Sequence, residues 1–192
     1  KRMLAYSSIA HAGFLLTAVV GANQTDLGRT PSSVASILFY MIAYGFATIG
    51  AFALVTMVRN EAGEDNSFAA WSGLAKKSPW VAGIMTVFLL SFAGIPLTAG
   101  FIGKWTVFAS AWRGGYGWLV VVAVLASLVA AYFYLRLIGV MFAGEPAAKS
   151  YVGEASGWTW VPVAIGAAAT IILGILPDAV LSMVSSLGAF LR

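Results

Sequence analysis

Long uncharged, apolar runs alternate with short polar stretches along the whole chain. About 20 apolar residues in a helix cross the hydrocarbon core of a bilayer, and several of these runs are at least that long. The pattern predicts an all-α fold, a polytopic transmembrane helix bundle that forms one membrane domain over residues 1–192. We expect about five spans, at 3–21, 31–58, 80–112, 116–143 and 158–176.

The last residues have a different pattern from the spans. Pro177 and Asp178 end the fifth apolar run, and the segment 178–192 has apolar residues at helical spacing. A helix with one narrow apolar face lies in the membrane interface rather than across it. We therefore predict a short C-terminal surface helix whose apolar face consists of Val180, Val184, Leu187 and Leu191.

The third apolar run is too long for one straight helix. It would extend for about 50 Å, against a hydrocarbon core of roughly 30 Å. Pro96 cannot donate a backbone hydrogen bond, and glycines on either side of it weaken a helix. We therefore predict a discontinuous helix, broken near 94–100, whose break involves Gly94, Pro96, Gly100 and Gly103.

A helix break has a cost inside a membrane. Each unpaired backbone group in hydrocarbon costs several kcal/mol, so we expect the break to be buried within the bundle. Ser91 and Thr98 are close enough in sequence to supply some of the missing hydrogen bonds. The break and its surroundings are therefore the first candidate for a functional site.

Composition supports a membrane protein. Hydrophobic residues make up 60% of the chain and charged residues 9%, and the mean hydropathy is +0.90. The chain has no cysteine and one histidine, which argues against cysteine-ligated clusters and against a metal centre built by this chain. We expect no cofactor in this chain, so any redox chemistry would take place on another one. The net charge of +4 comes from scattered basic residues, which argues against a nucleic-acid partner.

The basic residues also predict an orientation. Seven of them fall on one side of the predicted bundle and three on the other, with Lys104 left out. Because loops rich in Lys and Arg stay in the cytoplasm, we expect the first side to be cytoplasmic and the C-terminus to be outside. The seven are Lys1, Arg2, Arg59, Lys76, Lys77, Arg136 and Lys149.

Lys104 is the most unusual residue within the predicted spans. We expect it in the first turn of the second half-helix, where the positive end of the helix dipole and the scarcity of water both disfavour the ammonium form. Such a lysine could bind and release protons, and broken helices often accompany ion passage. In an alternative interpretation, Lys104 snorkels to the far interface while residues 105–112 lie flat.

Three other polar residues within the spans are candidates for a proton path. Histidine side chains ordinarily titrate near neutrality, and His11 lies one turn after two serines, so it is a candidate relay, although a neutral histidine hydrogen-bonded between helices is an equal alternative. Tyr40 and Tyr44 lie one turn apart and would either line an aqueous path or cap a packing surface. In the fifth span, the spacing of Gly166, Thr170 and Gly174 predicts close packing between helices.

Several sequence stretches resemble a known family. "KRMLAYSSIAHAGF", "FYMIAYGFATIGAF" and "SFAGIPLTAGFIGKW" closely resemble the C-terminal half of subunit N of proton-pumping NADH:quinone oxidoreductases, or respiratory complex I. The resemblance continues through "YFYLRLIGVMF" and "GILPDAVL". These subunits belong to a wider antiporter-like family that includes Mrp-type sodium/proton antiporters. Two related subunits fit less well, since subunit M has Glu at the position of Lys104 and subunit L has histidines in the second stretch.

The resemblance implies a function and a setting. Lys104 falls on the lysine of the family's discontinuous helix, which serves the periplasmic half-channel. The chain would be part of a longer, proton-translocating subunit of an enzyme complex in a bacterial plasma membrane, coupled to quinone reduction elsewhere. Its partners would be lipids and other membrane subunits, especially antiporter-like neighbours, and flavin, iron–sulfur clusters and quinone would belong to partner subunits. The alternatives are an Mrp-type antiporter subunit and a structural scaffold in which Lys104 pairs with a partner's carboxylate.

Overall fold

The computed structural model describes residues 1–23, 32–61, 63–65, 67–147, 151–153 and 157–189. These residues form eight α-helices and one small antiparallel sheet, which confirms the predicted helix bundle. The helices are α1 (Arg2–Val20), α2 (Ser33–Val55), α3 (Leu74–Lys77), α4 (Pro79–Ala93), α5 (Ala99–Arg113), α6 (Gly117–Ala143), α7 (Gly157–Ile175) and α8 (Asp178–Ala189). The strands are β1 (Val58–Asn60), β2 (Gly63–Glu64) and β3 (Tyr151–Val152).

Among the described residues, four helices are long and apolar enough to cross a membrane, judged by length and composition. They are α1, α2, α6 and α7, whereas α4 is apolar but shorter. The predicted third span is divided, since α4 ends at Ala93 and α5 begins at Ala99. The predicted discontinuous helix is therefore confirmed.

The second span ends earlier than predicted. Helix α2 ends at Val55, and Val58 already belongs to β1 rather than to the helix. At its other end, the side chain of Ser32 accepts a hydrogen bond of 3.1 Å from the backbone N–H of Ala35 and caps the helix. Pro31, where we expected the span to open, lies outside the described residues.

The segment between α2 and α4 is one of the short polar stretches of the sequence, and it contains strands β1 and β2 and the short helix α3. Strand β1 is central in the sheet, paired with β2 through Arg59 and Glu64 and with β3 through Val58 and Val152. Trp71 is buried against the helices. Strands of two or three residues have no detectable alternation, so hydropathy could not reveal them.

This sheet gathers three parts of the chain at one end of the bundle. The connection after α2 pairs with the connection after α6, and Lys1 forms a salt bridge with Glu64. The sequence analysis had assigned these same three parts to one side. Which side of a membrane this end faces stays a prediction.

Helix α7 packs closely against α2 and against the break between α4 and α5. A Cβ atom at Gly166 would lie 2.6 Å from the carbonyl oxygen of Phe46, and one at Gly174 would lie 2.4 Å from that of Leu97. Thr170 lies between these glycines and is fully buried. The predicted role of this small-residue stripe in helix packing is confirmed.

The C-terminal helix α8 lies against α2. Val184 is buried and belongs to an apolar cluster with Ala35 and Phe39 of α2, and Val180 packs against the same cluster. Two residues of the predicted apolar face of this helix, Val180 and Val184, therefore pack against α2. The side chains of Leu187 and Leu191 lie outside the part of the chain that the structure describes.

Candidate functional site

Gly94 ends helix α4. It has a φ of 81°, in the left-handed region that glycine adopts without strain. Its N–H donates to Ser91 O at 3.0 Å, and the N–H of Ile95 donates to Leu90 O at 3.0 Å, the hydrogen bonds of a Schellman motif. Pro96 follows this motif, so it lies beyond the end of the helix and does not itself interrupt hydrogen bonds within α4.

The start of α5 is also stabilised locally. Thr98 has an extended backbone, and its hydroxyl donates to Ile95 O at 2.7 Å. The N–H of Gly100 donates to the hydroxyl of Ser91 at 3.1 Å. The hydrogen bonds expected from Ser91 and Thr98 are therefore present, and among the described non-glycine residues only Leu97 has a positive φ, of 72°.

Two of the four predicted break residues have a different role. Gly100 and Gly103 lie inside α5 and do not interrupt it. A Cβ at Gly100 would lie 1.9 Å from Ser91 O, and one at Gly103 would lie 2.4 Å from Cδ2 of Tyr40. Gly100 therefore allows α5 to lie close to Ser91 of α4, and Gly103 allows it to lie close to Tyr40 of α2. A larger residue at either position would clash, although the helix is regular there.

The break is less buried than predicted. The side chains of Ile95, Pro96 and Leu97 are exposed on this chain, and Leu97 has 73% of its surface accessible. Our expectation that the break lies inside the bundle is wrong for these three side chains. Local hydrogen bonds around Gly94 and Thr98 satisfy much of the backbone, so these side chains need not be covered.

Lys104 lies deep in the bundle, with only 5% of its surface accessible. Its ammonium donates three hydrogen bonds, to Phe92 O at 2.8 Å, to Ala93 O at 3.2 Å and to the hydroxyl of Ser127 at 2.7 Å. The ammonium therefore points towards the end of α4, and the alternative in which Lys104 snorkels to an interface is wrong.

Two details of the Lys104 prediction need correction. Lys104 is the sixth residue of α5, in its second turn rather than its first. Its ammonium binds the last carbonyls of α4, which form the negative end of that helix's dipole and favour a cation. The sequence analysis considered only the dipole of the lysine's own helix and so assigned the opposite sign to this interaction.

The ammonium is held without a carboxylate from the helices around it. Its nitrogen lies 5.1 Å from the centre of the Phe14 ring, within the range of a cation–π interaction. The sequences of α1, α2 and α4–α7 contain no Asp or Glu. Among the described residues, backbone dipoles, one hydroxyl and an aromatic face therefore stabilise the charge, and no carboxylate forms a hydrogen bond with the amine.

His11 lies in the middle of α1 and has 2% of its surface accessible. Its Nδ1 is 2.5 Å from the hydroxyl of Tyr40, and its ring stacks on Tyr44 with centroids 4.3 Å apart. Its Nε2 is buried without a hydrogen-bond partner within the described ranges. The structure therefore brings together the three polar residues that we had selected in the first two spans.

The hydroxyl groups continue from this cluster to α6. Tyr44 donates to the hydroxyl of Ser8 at 2.9 Å, and the hydroxyl of the adjacent Ser7 lies 2.6 Å from that of Tyr134. The sequence analysis missed Ser127 and Tyr134 as members of the site. They are seven residues apart and so lie on one face of α6. A polar pair at that spacing in an apolar helix was an available signal.

Comparisons with known proteins found similar sequences. A family model described as "NADH:quinone oxidoreductase/Mrp antiporter, TM" matches residues 1–130. A Streptomyces griseus protein named NADH-quinone oxidoreductase subunit N 3 is 50% identical over the whole chain, which covers 34% of that protein. The Cutibacterium acnes NADH-quinone oxidoreductase subunit N is 48% identical over the whole chain, which covers 37% of it. The chain thus spans about a third of the length of these relatives.

Solved structures are similar as well. A chain of respiratory complex I from Thermus thermophilus with bound aureothin superposes with a TM-score of 0.80 and 34% identity, over 95% of this chain and 39% of that one. A chain of the archaeal membrane-bound sulfane sulfur reductase superposes with a TM-score of 0.68 and 19% identity, over 97% of this chain and 42% of that one. The second likeness concerns the fold alone.

Proposed function

Because the chain belongs to the NADH:quinone oxidoreductase/Mrp antiporter transmembrane family, we propose that it is the C-terminal part of a subunit N of an NADH-quinone oxidoreductase and translocates protons. The energy would come from NADH oxidation and quinone reduction in other subunits. This chain has no cysteine and a single histidine, so its own contribution is to bind and move protons rather than electrons.

One observation carries the proposal: the amine of Lys104 is buried at a helix break and is held by neutral groups. A carboxylate at contact distance would stabilise the ammonium strongly and oppose proton release. Carbonyl and hydroxyl oxygens stabilise it less, so the proton can leave at a lower cost. Lys104 is thus the proposed proton carrier.

The neighbouring polar cluster extends the proposed path. His11 acts as a relay because an imidazole can accept a proton on one nitrogen while it donates from the other. Its Nδ1 is in contact with Tyr40, whereas its Nε2 is free to take a partner. Tyr40 and Tyr44 line this part of the path. Gly94 leaves space for Lys104, Gly103 leaves space for Tyr40, and Gly100 lets α5 lie close to Ser91.

The proposal also assigns a location and partners. The chain would lie in a bacterial plasma membrane, with the end that carries the β-sheet in the cytoplasm and the C-terminus outside. Other membrane subunits of the complex, especially antiporter-like neighbours, and lipids would cover its exposed apolar residues. Reporter fusions after Arg192 would test the orientation, and activity of a cytoplasmic reporter there would contradict it.

The scaffold alternative is disfavoured by the hydrogen bonds of Lys104. All three of its N–H donors are used within this chain, which leaves none for a partner's carboxylate. An Mrp-type exchange of sodium for protons makes a different prediction, namely proton movement that depends on the sodium gradient. NADH-driven proton movement that is unchanged without sodium would support the oxidoreductase assignment.

The direct test replaces Lys104 with methionine, which keeps much of the apolar stem and removes the amine. In membranes that contain the complete complex, we expect NADH-driven proton translocation to fall about tenfold or more. Assembly and electron transfer from NADH to an artificial acceptor should be unchanged. Lys76→Met, at an exposed lysine, is the matched control and should translocate protons normally. Wild-type proton translocation by an assembled Lys104→Met complex would overturn the proposal.

A further inference from the structure

Ser127 differs in kind from the other hydrogen-bond partners of Lys104. Within the described residues it is the only side chain that accepts a hydrogen bond from the ammonium, and the other two acceptors are the backbone carbonyls of Phe92 and Ala93. Ser127 lies on α6, a helix that is separate from both halves of the break. Its hydroxyl is therefore positioned independently of α4 and α5.

The numbers of donors and acceptors show why this difference matters. An ammonium group has three N–H donors and no acceptor, and the site offers three oxygens at 2.7, 2.8 and 3.2 Å. After the amine loses a proton, it has two donors and one lone pair. A carbonyl can only accept, so it cannot donate to that lone pair, whereas a hydroxyl can both donate and accept.

We propose that Ser127 is a positioning residue that holds Lys104 in both of its protonation states. Its hydroxyl accepts a hydrogen bond from the ammonium and, after rotation about its C–O bond, donates one to the neutral amine. No covalent bond of Ser127 forms or breaks, and the proton that Lys104 releases enters the translocation path. This inference rests on the proposed function, because it requires Lys104 to gain and lose a proton.

The other titratable groups around Lys104 do not replace this hydroxyl. Lys104 makes no recorded hydrogen bond to any of them within the described residues, and α4 and α7 contain no titratable residue in their sequences. A buried unpaired donor or acceptor is costly, so both states of Lys104 would lose stability without Ser127, the ammonium through an unpaired N–H and the amine through an unpaired lone pair. The buried titratable residues of the helices packed against α5 are His11, Tyr40 and Tyr134, with Tyr44 partly buried beside them.

The test compares two replacements of Ser127 in the complete complex. Ser127→Ala removes the hydroxyl. We expect the rate of NADH-driven proton translocation to fall several-fold, and by no more than about tenfold. The ammonium loses a charge-assisted hydrogen bond and the amine an ordinary one, so the pH profile of translocation should also move to lower pH, by roughly one unit. Ser127→Thr keeps a hydroxyl and should restore both the rate and the profile.

Ser36→Ala is the matched control, because Ser36 is a fully buried serine whose hydroxyl has no hydrogen-bond partner in the described structure. It should leave the rate and the pH profile unchanged. If the Ser127→Ala complex does not assemble, Ser127→Cys serves as the test, because a thiol is only a weak donor and a weak acceptor. It should give a smaller loss of translocation rate and a smaller shift of the pH profile than we expect for Ser127→Ala.

Two outcomes would overturn the inference. One is a wild-type rate and pH profile in an assembled Ser127→Ala complex, or in Ser127→Cys where that variant carries the test. The other is an equal loss in Ser127→Ala and Ser127→Thr, which would mean that packing volume matters and the hydroxyl does not. Lys104→Met, measured in parallel, separates a failure of the inference about Ser127 from a failure of the proposed function. Normal translocation by that variant would contradict the proposed function itself.

Discussion

The pair α4–α5 and the helix α7 both contain a proline in a long apolar stretch, but only the first is broken. Pro162 is the sixth residue of α7, and the helix continues through it. Pro96 lies between α4 and α5, after Gly94 has already ended α4 with a φ of 81°. A proline near the start of a helix removes at most one intrahelical hydrogen bond, whereas a glycine in the left-handed region turns the chain away from the helix axis.

The consequence for function lies in the carbonyl groups. In a continuous helix, backbone carbonyls accept hydrogen bonds from the following turn and are not available to other donors. At the end of α4 no following turn exists, and the carbonyls of Phe92 and Ala93 accept from Lys104 instead. The break therefore provides a binding site for an amine, which the proline of α7 does not.

The largest effect is expected where the two halves of the broken helix touch. In Gly100→Ala, the new Cβ would lie 1.9 Å from Ser91 O, a backbone atom that cannot move alone. We expect a loss of about 3 kcal/mol in the free energy of unfolding, seen as a lower melting temperature of the detergent-solubilised complex. Gly83→Ala, in α4 with open space around it, is the control and should be neutral or slightly stabilising. Equal melting temperatures would mean that the close contact is absent in the complex.

A smaller effect is expected at the residue that ends α4. Gly94→Ala must adopt a φ of 81°, which costs an alanine roughly 1–2 kcal/mol, and the new methyl would lie 3.0 Å from Cδ of Lys104. We expect a moderate loss of stability together with slower proton translocation.

The matched control for Gly94 is Gly115, which has a φ of 84° and open space where a Cβ would lie. Gly115→Ala should have a similar backbone cost and normal proton translocation. If both variants slow translocation equally, the effect of Gly94→Ala does not arise from its contact with Lys104.

The smallest effects are expected from the prolines themselves. Pro96→Ala leaves Gly94 in place, so α4 and α5 should stay separate and proton translocation should be normal. Pro162→Ala restores one N–H donor within α7 and should change the stability only slightly, because α7 already continues through the proline. Melting temperatures and translocation rates of the two variants check both statements. A large functional loss in Pro96→Ala would show that the proline, rather than Gly94, maintains the break.

Much of the fold could be predicted because uncharged runs mark apolar helices directly. The starts of α1, α6 and α7 differ from the predicted spans by one residue each, and the discontinuity follows from a run too long for a single helix. The strands around Val58 could not be predicted, since a two- or three-residue strand has no periodic signal. The division of roles between Gly94 and Pro96 depends on φ, which the residue types alone do not determine.

The site was predicted in part. A lysine within an apolar run is conspicuous in the sequence, and so is His11, because both are polar residues where apolar ones are expected. The partners of Lys104 were not predictable in the same way. The contact with Ser127 depends on the rotation of α6 about its axis, and the contact with Phe92 depends on how α5 is placed beside the end of α4. These are tertiary relations between helices that a hydropathy pattern does not specify.

The most direct measurement is a high-resolution experimental structure of the complete complex, with the side chain of Lys104 resolved. The account predicts that α4 and α5 stay separate and that the amine of Lys104 keeps hydrogen bonds to the carbonyls of Phe92 and Ala93 and to Ser127, with no carboxylate within 4 Å. A continuous helix through residues 94–98, or an ion pair between Lys104 and a carboxylate of a neighbouring subunit, would contradict it.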